Sequence, residues 1–140
     1  GERAVNGHDE HPIILLDSSD GILFMRGNEA VESLMQAAEF VVLPVYVLGE
    51  LLYGVGGASE RHRAKEEAKL SRLLSSCEIA RPDAETARSY ADLRVTLDRR
   101  GKPIPESDIW IAAHARQLGV PLVARDEHFE FVPNLHLIAV

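Results

Sequence analysis

Short, mostly apolar runs alternate with longer helix-like stretches along this chain, and this alternation limits the folds that it can adopt. The runs that we predict as strands are 13–16, 40–43, 78–80, 122–124 and 135–140. Predicted helices lie between them, at about 18–26, 29–38, 44–57, 59–75, 82–101 and 108–117. Strands separated by helices are typical of a mostly parallel sheet that is covered by helices. The pattern therefore predicts a single α/β domain over residues 12–140, with a central sheet of four to five strands.

Charge and composition narrow the function classes. The formal net charge of −7 disfavours a protein whose whole surface binds nucleic acid, because phosphate contacts need a basic face. No stretch is apolar for the length of a membrane span, so we expect no membrane association. Cys77 is the only cysteine, which excludes an intrachain disulfide and favours a cytoplasmic protein. Residues 1–11 are polar and lack a signal-peptide core, and we predict that they form a flexible N-terminal arm.

Four acidic residues stand out because each lies within or close to an apolar segment of the sequence. Asp17 and Asp126 lie just past predicted strands, and ligand crevices of open α/β sheets lie at the carboxyl ends of strands. Glu50 is the only charged residue from position 40 to position 59, and burying its charge would require a cation or donors. Asp108 opens a predicted helix that continues with Ile-Trp-Ile-Ala-Ala. Four carboxylates from four elements could therefore converge on one pocket.

Each acid also has an ordinary structural explanation. An aspartate after a strand often forms a turn or a helix cap, and one at a helix start favours the helix dipole. Glu50 could lie on an exposed helix stripe or pair with an arginine.

Carboxylates that do converge repel each other unless their pKa values rise or divalent cations bind between them. Oxygen ligands suit Mg²⁺ or Mn²⁺, and such a site can activate water for attack on a phosphodiester.

Four stretches of the sequence resemble the PIN-domain nucleases, most closely the VapC-type toxins of bacterial toxin–antitoxin pairs. They match the family's opening strand with its Asp-Thr-Asn turn, the glutamate helix, the third acid with its Ile-Ala-Ala helix, and the strand with the fourth acid, at 14–28, 44–54, 104–115 and 121–129. The resemblance implies a PIN-like three-layer α/β/α sandwich over residues 12–140. It also implies four catalytic and metal-binding acids, namely Asp17, Glu50, Asp108 and Asp126.

The same resemblance implies an activity and its partners. It predicts an endoribonuclease that depends on Mg²⁺ or Mn²⁺ and hydrolyses RNA phosphodiester bonds. The family members are usually homodimers, and a cognate antitoxin protein silences them by pressing a segment into the acidic site. We therefore expect an RNA substrate, a homodimer and an antitoxin partner for this chain.

Two departures from the family pattern leave an alternative open. The turn reads Asp17-Ser18-Ser19 in place of Asp-Thr-Asn, and Ala124 stands where the family often has threonine or serine. These changes are compatible with a catalytically weakened PIN-like binding module that acts through a protein partner. A haloacid-dehalogenase-like phosphatase is disfavoured, because the turn lacks the second acid of an Asp-x-Asp motif.

Three further polar residues have two interpretations each. Asp20 falls one turn after Asp17 and could face the same pocket, although we expect it to face solvent. His114 is expected to be a packed or surface histidine. His128, two positions after Asp126, could lie near the site, although a packing or loop-stabilising role is favoured.

Basic residues occur near several of the predicted acids. A basic cluster near the approach to Asp108 consists of Arg99, Arg100 and Lys102. Arg26 and Arg125 could steer a phosphate or hold an acid in a salt bridge. The basic residues of the 59–75 helix are interspersed with glutamates, which favours a solvated helix face.

Overall fold

The computed structural model describes residues 12–140, so the predicted arm at 1–11 lies outside the described residues. The strands are β1 Ile13–Leu16, β2 Phe40–Pro44, β3 Glu78–Ala80, β4 Leu122–Val123 and β5 Leu137–Ile138. The α-helices are α1 Ser18–Met25, α2 Glu29–Ala37, α3 Val45–Gly56, α4 Glu60–Leu74, α5 Ala84–Arg100 and α6 Glu106–Leu118. A 3₁₀ helix, Glu127–Phe131, connects β4 to β5. Within this part of the chain, no helix combines the length and apolarity that a membrane span requires.

The five strands form one parallel sheet in the order β3-β2-β1-β4-β5. The chain moves outwards from β1 through β2 to β3 and then crosses back to β4 and β5. Because crossovers between parallel strands are nearly always right-handed, the helices before and after this reversal cover opposite faces. The contacts agree, since α1 packs on α2, α3 and α4, while α5 packs along α6. The predicted parallel α/β/α architecture is therefore confirmed.

The reversal of strand order places a crevice beside the central strand. Strands β1 and β4 are direct neighbours, with Leu16 opposite Val123 in the register. Ligands of open parallel sheets bind outside the carboxyl ends of the strands at such a switch point. Asp17 follows β1 directly, and Asp126 follows β4 after two further residues, so both lie at this edge.

The core lies between the sheet and its helices. Ile14, Leu15 and Leu16 are fully buried, which explains why β1 is apolar throughout rather than alternating. Phe129 of the 3₁₀ helix is also fully buried. Burying one large apolar side chain contributes about 1.5–3 kcal/mol. This packing anchors the segments that follow β1 and β4, and with them the residues at the sheet edge.

Several element boundaries differ from the prediction by one or more residues, and two of these differences concern the site and the edge of the sheet. Helix α6 begins at Glu106 rather than at Asp108, because the Pro105 carbonyl accepts hydrogen bonds from the Asp108 and Ile109 amides at 3.0 and 3.1 Å. Asp108 therefore lies in the first turn rather than at the first position. The last strand covers only Leu137–Ile138, since its pairing with the short strand β4 extends no further.

Helix α1 approaches its neighbours closely at Gly21. A Cβ atom at Gly21 would lie 2.9 Å from Cδ1 of Leu51 and 3.3 Å from Cδ2 of Leu73. We expect Gly21→Ala to lower the free energy of unfolding by about 1 kcal/mol, because overpacking exceeds the gain in helix propensity. Gly54→Ala is the matched control, since its Cβ would have no neighbour within 4 Å, and it should stabilise by up to about 1 kcal/mol. Urea unfolding measures both, and equal effects of one sign would contradict the close approach.

Candidate metal-binding active site

Asp17 is fixed by the turn that joins β1 to α1. It is the N-cap of α1, and its Oδ1 accepts hydrogen bonds from the Ser19 amide at 2.6 Å and the Ser19 hydroxyl at 2.8 Å. The Asp17 residue is only 5% exposed. Serine at position 19 therefore supplies a side-chain donor to this carboxylate, although the amide of the family pattern is missing.

Asp20 lies behind Asp17, and the expectation that it faces solvent is wrong. Its Oδ2 accepts a hydrogen bond from the Asp17 amide at 2.9 Å, which completes a capping box at the start of α1. The residue is fully buried, and its Oδ1 has no hydrogen-bond partner among residues 12–140. Burial, with the nearby charge of Asp17, raises the pKa of Asp20 to about 8.

Asp108 and Asp126 meet through His128. The His128 amide donates to Asp126 Oδ1 at 3.0 Å, which caps the 3₁₀ helix. The ring Nδ1 of His128 lies 3.2 Å from Asp108 Oδ2 and 3.0 Å from Asp126 Oδ1. His128 therefore belongs to the site, and the favoured packing role missed this contact with both acids.

An open cavity at the carboxyl edge of the sheet brings three of the four predicted acids together. Its lining consists of Asp17, Ser18, Ser19, Asp108, Arg125 and Asp126. Glu50 lines a neighbouring groove between α1, α3 and α4 instead. In addition to burial, the charges of Asp108 and Asp17 raise the pKa of Glu50, so its carboxyl group lies near the cavity.

Three acids of this site, Asp17, Asp108 and Glu50, have pKa values above those of ordinary carboxyl groups. Burial raises the pKa of Asp17, and the charge of Asp126 adds to the rise. Burial likewise raises the pKa of Asp108, and the charges of Asp126 and Asp17 raise it further. The hydrogen bond from His128 lowers it in part. The pKa of Glu50 is raised by burial first, and a hydrogen bond with Ser18 opposes the rise. Partly buried carboxylates that raise one another's pKa form a site that a cation would stabilise.

The donor set fits a divalent cation. One ligand atom from each of Asp108, Asp126 and His128 lies within 4.8 Å of the other two. Asp17 lines the same cavity as Asp108 and Asp126, and Glu50 lies close enough for the charges of Asp108 and Asp17 to act on its carboxyl group. A set dominated by carboxylate oxygens suits Mg²⁺ or Mn²⁺ better than softer metals.

The remaining candidate residues have distinct positions. Arg125 is exposed on the cavity wall and Arg26 on the wall of the groove beside Glu50, and neither forms an ion pair within 4.0 Å inside 12–140. This placement favours attraction of a phosphate over a salt bridge. His114 is 1% exposed with its ring edge-on to Tyr46, so of the two expected positions, packed or at the surface, it has the packed one.

Comparison with known proteins assigns the family. The PIN-domain family model matches residues 14–135, and the chain belongs to the PIN-domain family. Within it the chain is similar to the VapC ribonucleases. It is 32% identical to Ribonuclease VapC5 of Mycobacterium tuberculosis over 116 residues, which are 82% of this chain and 84% of that protein.

Solved structures of VapBC complexes share the fold. The structure of VapBC2 from Rickettsia felis, bound to a DNA fragment from their promoter, matches with a TM-score of 0.81 and 27% identity, covering 91% of this chain and 98% of that one. The structure of VapBC-5 from Mycobacterium tuberculosis, a member of the VapBC family of toxin–antitoxin systems, matches with a TM-score of 0.72 and 27% identity. That match covers 92% of this chain and 98% of that one.

Proposed function

We propose that this protein is a divalent-metal-dependent endoribonuclease that acts as the toxin of a type II toxin–antitoxin module. The observation that carries the proposal is the cluster of acids at the switch point of the sheet, where Asp17, Asp108 and Asp126 share one cavity. The relatives named as VapC ribonucleases support hydrolysis of RNA over other phosphoryl chemistry.

The residues that would hold Mg²⁺ or Mn²⁺ are the four acids Asp17, Glu50, Asp108 and Asp126. When bound, a divalent ion lowers the pKa of water and neutralises charge that develops on a phosphodiester. Ser19 orients the Asp17 carboxylate through two hydrogen bonds, and His128 holds Asp108 and Asp126 next to each other. Arg125 supplies positive charge on the cavity wall, where it attracts a substrate phosphate.

A carboxylate of this set takes the proton of the attacking water. General-base catalysis is most effective when the pKa of the base approaches the working pH. Burial, with the charges of neighbouring acids, moves the pKa values of Asp17, Glu50 and Asp108 in that direction in the metal-free protein. A bound cation would lower these pKa values again, so we assign the proton to the set of acids and not to one member.

The proposed partners are a cognate antitoxin and a second copy of the chain. The similarity to VapBC-5, which belongs to a toxin–antitoxin family, supports the antitoxin. An antitoxin segment with a basic side chain would complement the acidic cavity. A homodimer is supported by exposed apolar side chains on α3, where Leu52 is 51% and Tyr53 is 85% exposed.

The alternative is a binding module that has lost catalysis. Ser19 weakens this alternative, because its hydroxyl still donates to Asp17 Oδ1. Ala124 is buried, and its amide donates to the Ile138 carbonyl at 3.1 Å, so this backbone is held without a hydroxyl side chain at position 124. Cleavage and metal binding, measured separately, distinguish the two functions.

Purified protein should cut members of a panel of structured RNAs when Mg²⁺ or Mn²⁺ is present and should not cut them in EDTA. Removing the cation leaves the acids without the charge that activates water. Asp108→Asn, purified identically, is the control for contaminating nucleases and should be inactive. Cutting that persists in EDTA, or at equal rate in the variant, would contradict the proposal. No cutting together with no metal binding by calorimetry would favour the binding module.

A further inference from the structure

The chain segments that carry Asp108 and Asp126 meet a second time, outside the acidic cavity. Lys102 precedes α6, and its Nζ lies 4.9 Å from the centroid of the Phe131 ring, at the end of the 3₁₀ helix. A cation over an aromatic ring at this distance is an attractive contact. The two segments thus form one continuous surface that leads away from the two acids.

The turn after α5 fixes the position of Lys102. Gly101 has a positive φ of 64°, and its amide donates to the Asp98 carbonyl at 3.1 Å. The Lys102 amide donates to the Leu97 carbonyl at 3.0 Å, which completes a Schellman-type helix end. The backbone of Lys102 is therefore held by the helix.

The periodicity of the 3₁₀ helix places Phe131 on the same helix face as His128. Side chains three positions apart in such a helix lie above one another, so Phe131 shares a face with His128. His128 contacts both Asp108 and Asp126, whereas Glu127 and Glu130 share a different face. With a rise of about 2 Å per residue, Phe131 lies roughly 10 Å along the helix from Asp126. Phe131 is 40% exposed, so part of the residue is accessible to a ligand although Lys102 lies over the ring.

The basic residues of this surface are not neutralised by neighbouring acids. Arg99, Arg100 and Lys102 are exposed, and none of them forms an ion pair within 4.0 Å in the described part of the chain. Other basic residues, such as Arg88 and Arg94, are paired with glutamates. In a chain of net charge −7, three unpaired cations within four positions form a local site for an anion.

We propose that Arg99, Arg100, Lys102 and Phe131 form a ledge that binds a single-stranded segment of RNA beside the acidic cavity. Single-strand sites combine cations that follow the phosphates with aromatic rings on which bases stack. Here Phe131 offers the ring, Lys102 lies against it, and Arg99 and Arg100 add two exposed positive charges at the end of α5. The ledge would hold substrate for the nuclease proposed above, so this inference rests on that proposed function. RNA binding by the ledge can nevertheless be measured without cleavage.

Binding is measured with a fluorescent single-stranded RNA and with a hairpin of the same composition, in an Asp17→Asn background that prevents cutting. Phe131→Ala should weaken single-strand binding roughly 10-fold, and Phe131→Tyr should retain it, because stacking needs a ring. The double variant Arg99→Gln/Lys102→Gln should reduce the slope of log K against log salt by about 1.4, or 0.7 for each lost phosphate contact. The hairpin should bind more weakly than the single strand.

The matched control is Arg61→Gln/Lys65→Gln on α4, which removes the same charge from exposed positions. An equal change of slope in this control, unchanged binding by the ledge variants, or no binding by the parent protein would overturn the ledge. If Phe131→Ala unfolds, the comparison of salt slopes between Arg99→Gln/Lys102→Gln and the α4 control still tests the ledge. RNA cleavage with an unchanged KM in the ledge variants would refute the ledge alone. Ledge-dependent binding without cleavage in any metal would refute the nuclease alone.

Discussion

Asp17→Asn is expected to reduce RNA cleavage by more than roughly 100-fold, because even residues outside the first coordination shell of a metal site are worth about 10–100-fold. Asparagine keeps the Oδ1 acceptor that caps α1 and receives the Ser19 bonds. It removes the negative charge that faces the cavity. The substitution should therefore separate chemistry from folding, with single-turnover cleavage rates and the midpoint of thermal unfolding measured on the same preparation.

Two companion variants make this result specific. Asp17→Ala removes the cap as well as the charge, and it should cost about 0.5–2 kcal/mol of stability that Asp17→Asn retains. Asp98→Asn removes the same charge from an exposed position on α5, where the acid pairs with Arg94 at 3.9 Å, and it should leave cleavage unchanged. Substantial activity in carefully purified Asp17→Asn protein would remove Asp17 from the site.

The positions of Asp17 and Asp126 could be predicted from the sequence, because they depend only on the residues just before them along the chain. An apolar run such as 13–16 predicts a strand buried on both faces, and an acid just past it falls at the carboxyl edge of the sheet. The same two rules place Asp17 and Asp126 on one edge without any knowledge of tertiary contacts. Asp108 and Glu50 needed the resemblance to the PIN-domain nucleases, since a helix start or a helix stripe explains each of them equally well.

The contacts that the sequence did not predict depend on side-chain orientation and on helix packing. The spacing of Asp17 and Asp20 fits a capping box, and that signal could have predicted the buried Asp20 carboxyl. His128 offered no such signal, because its contact with Asp108 depends on the 3₁₀ helix that aims its ring across the cavity. Glu50 lines the adjacent groove because the path of α3 is set by packing of whole helices.

Asp20→Asn is expected to stabilise the metal-free protein increasingly as the pH rises from about 4 to about 8. The pKa of Asp20 is about 8 in the folded protein and 3.8 for an ordinary aspartate, so folding favours the protonated form. The stability that this proton provides is fully present below pH 4 and is lost as the pH rises through 8. Asparagine has no such proton to lose, and its Oδ1 can still accept the Asp17 amide. The difference in unfolding free energy should therefore grow by at most about 1.4 kcal/mol per pH unit.

Urea unfolding in EDTA at pH 5, 6, 7 and 8 measures this difference for wild type and Asp20→Asn. Asp83 provides a control of opposite sign, because hydrogen bonds from Thr86 and Glu85 lower its pKa. Its contribution is present above the ordinary pKa of aspartate and is lost only as the pH falls through its lowered value, so Asp83→Asn should differ from wild type by a constant amount above pH 5. Parallel curves for wild type and Asp20→Asn would mean that the buried carboxyl ionises without penalty. A widening difference would instead mean that the turn holding Asp17 contains a neutral acid near pH 7, which limits the negative charge that a bound cation must balance.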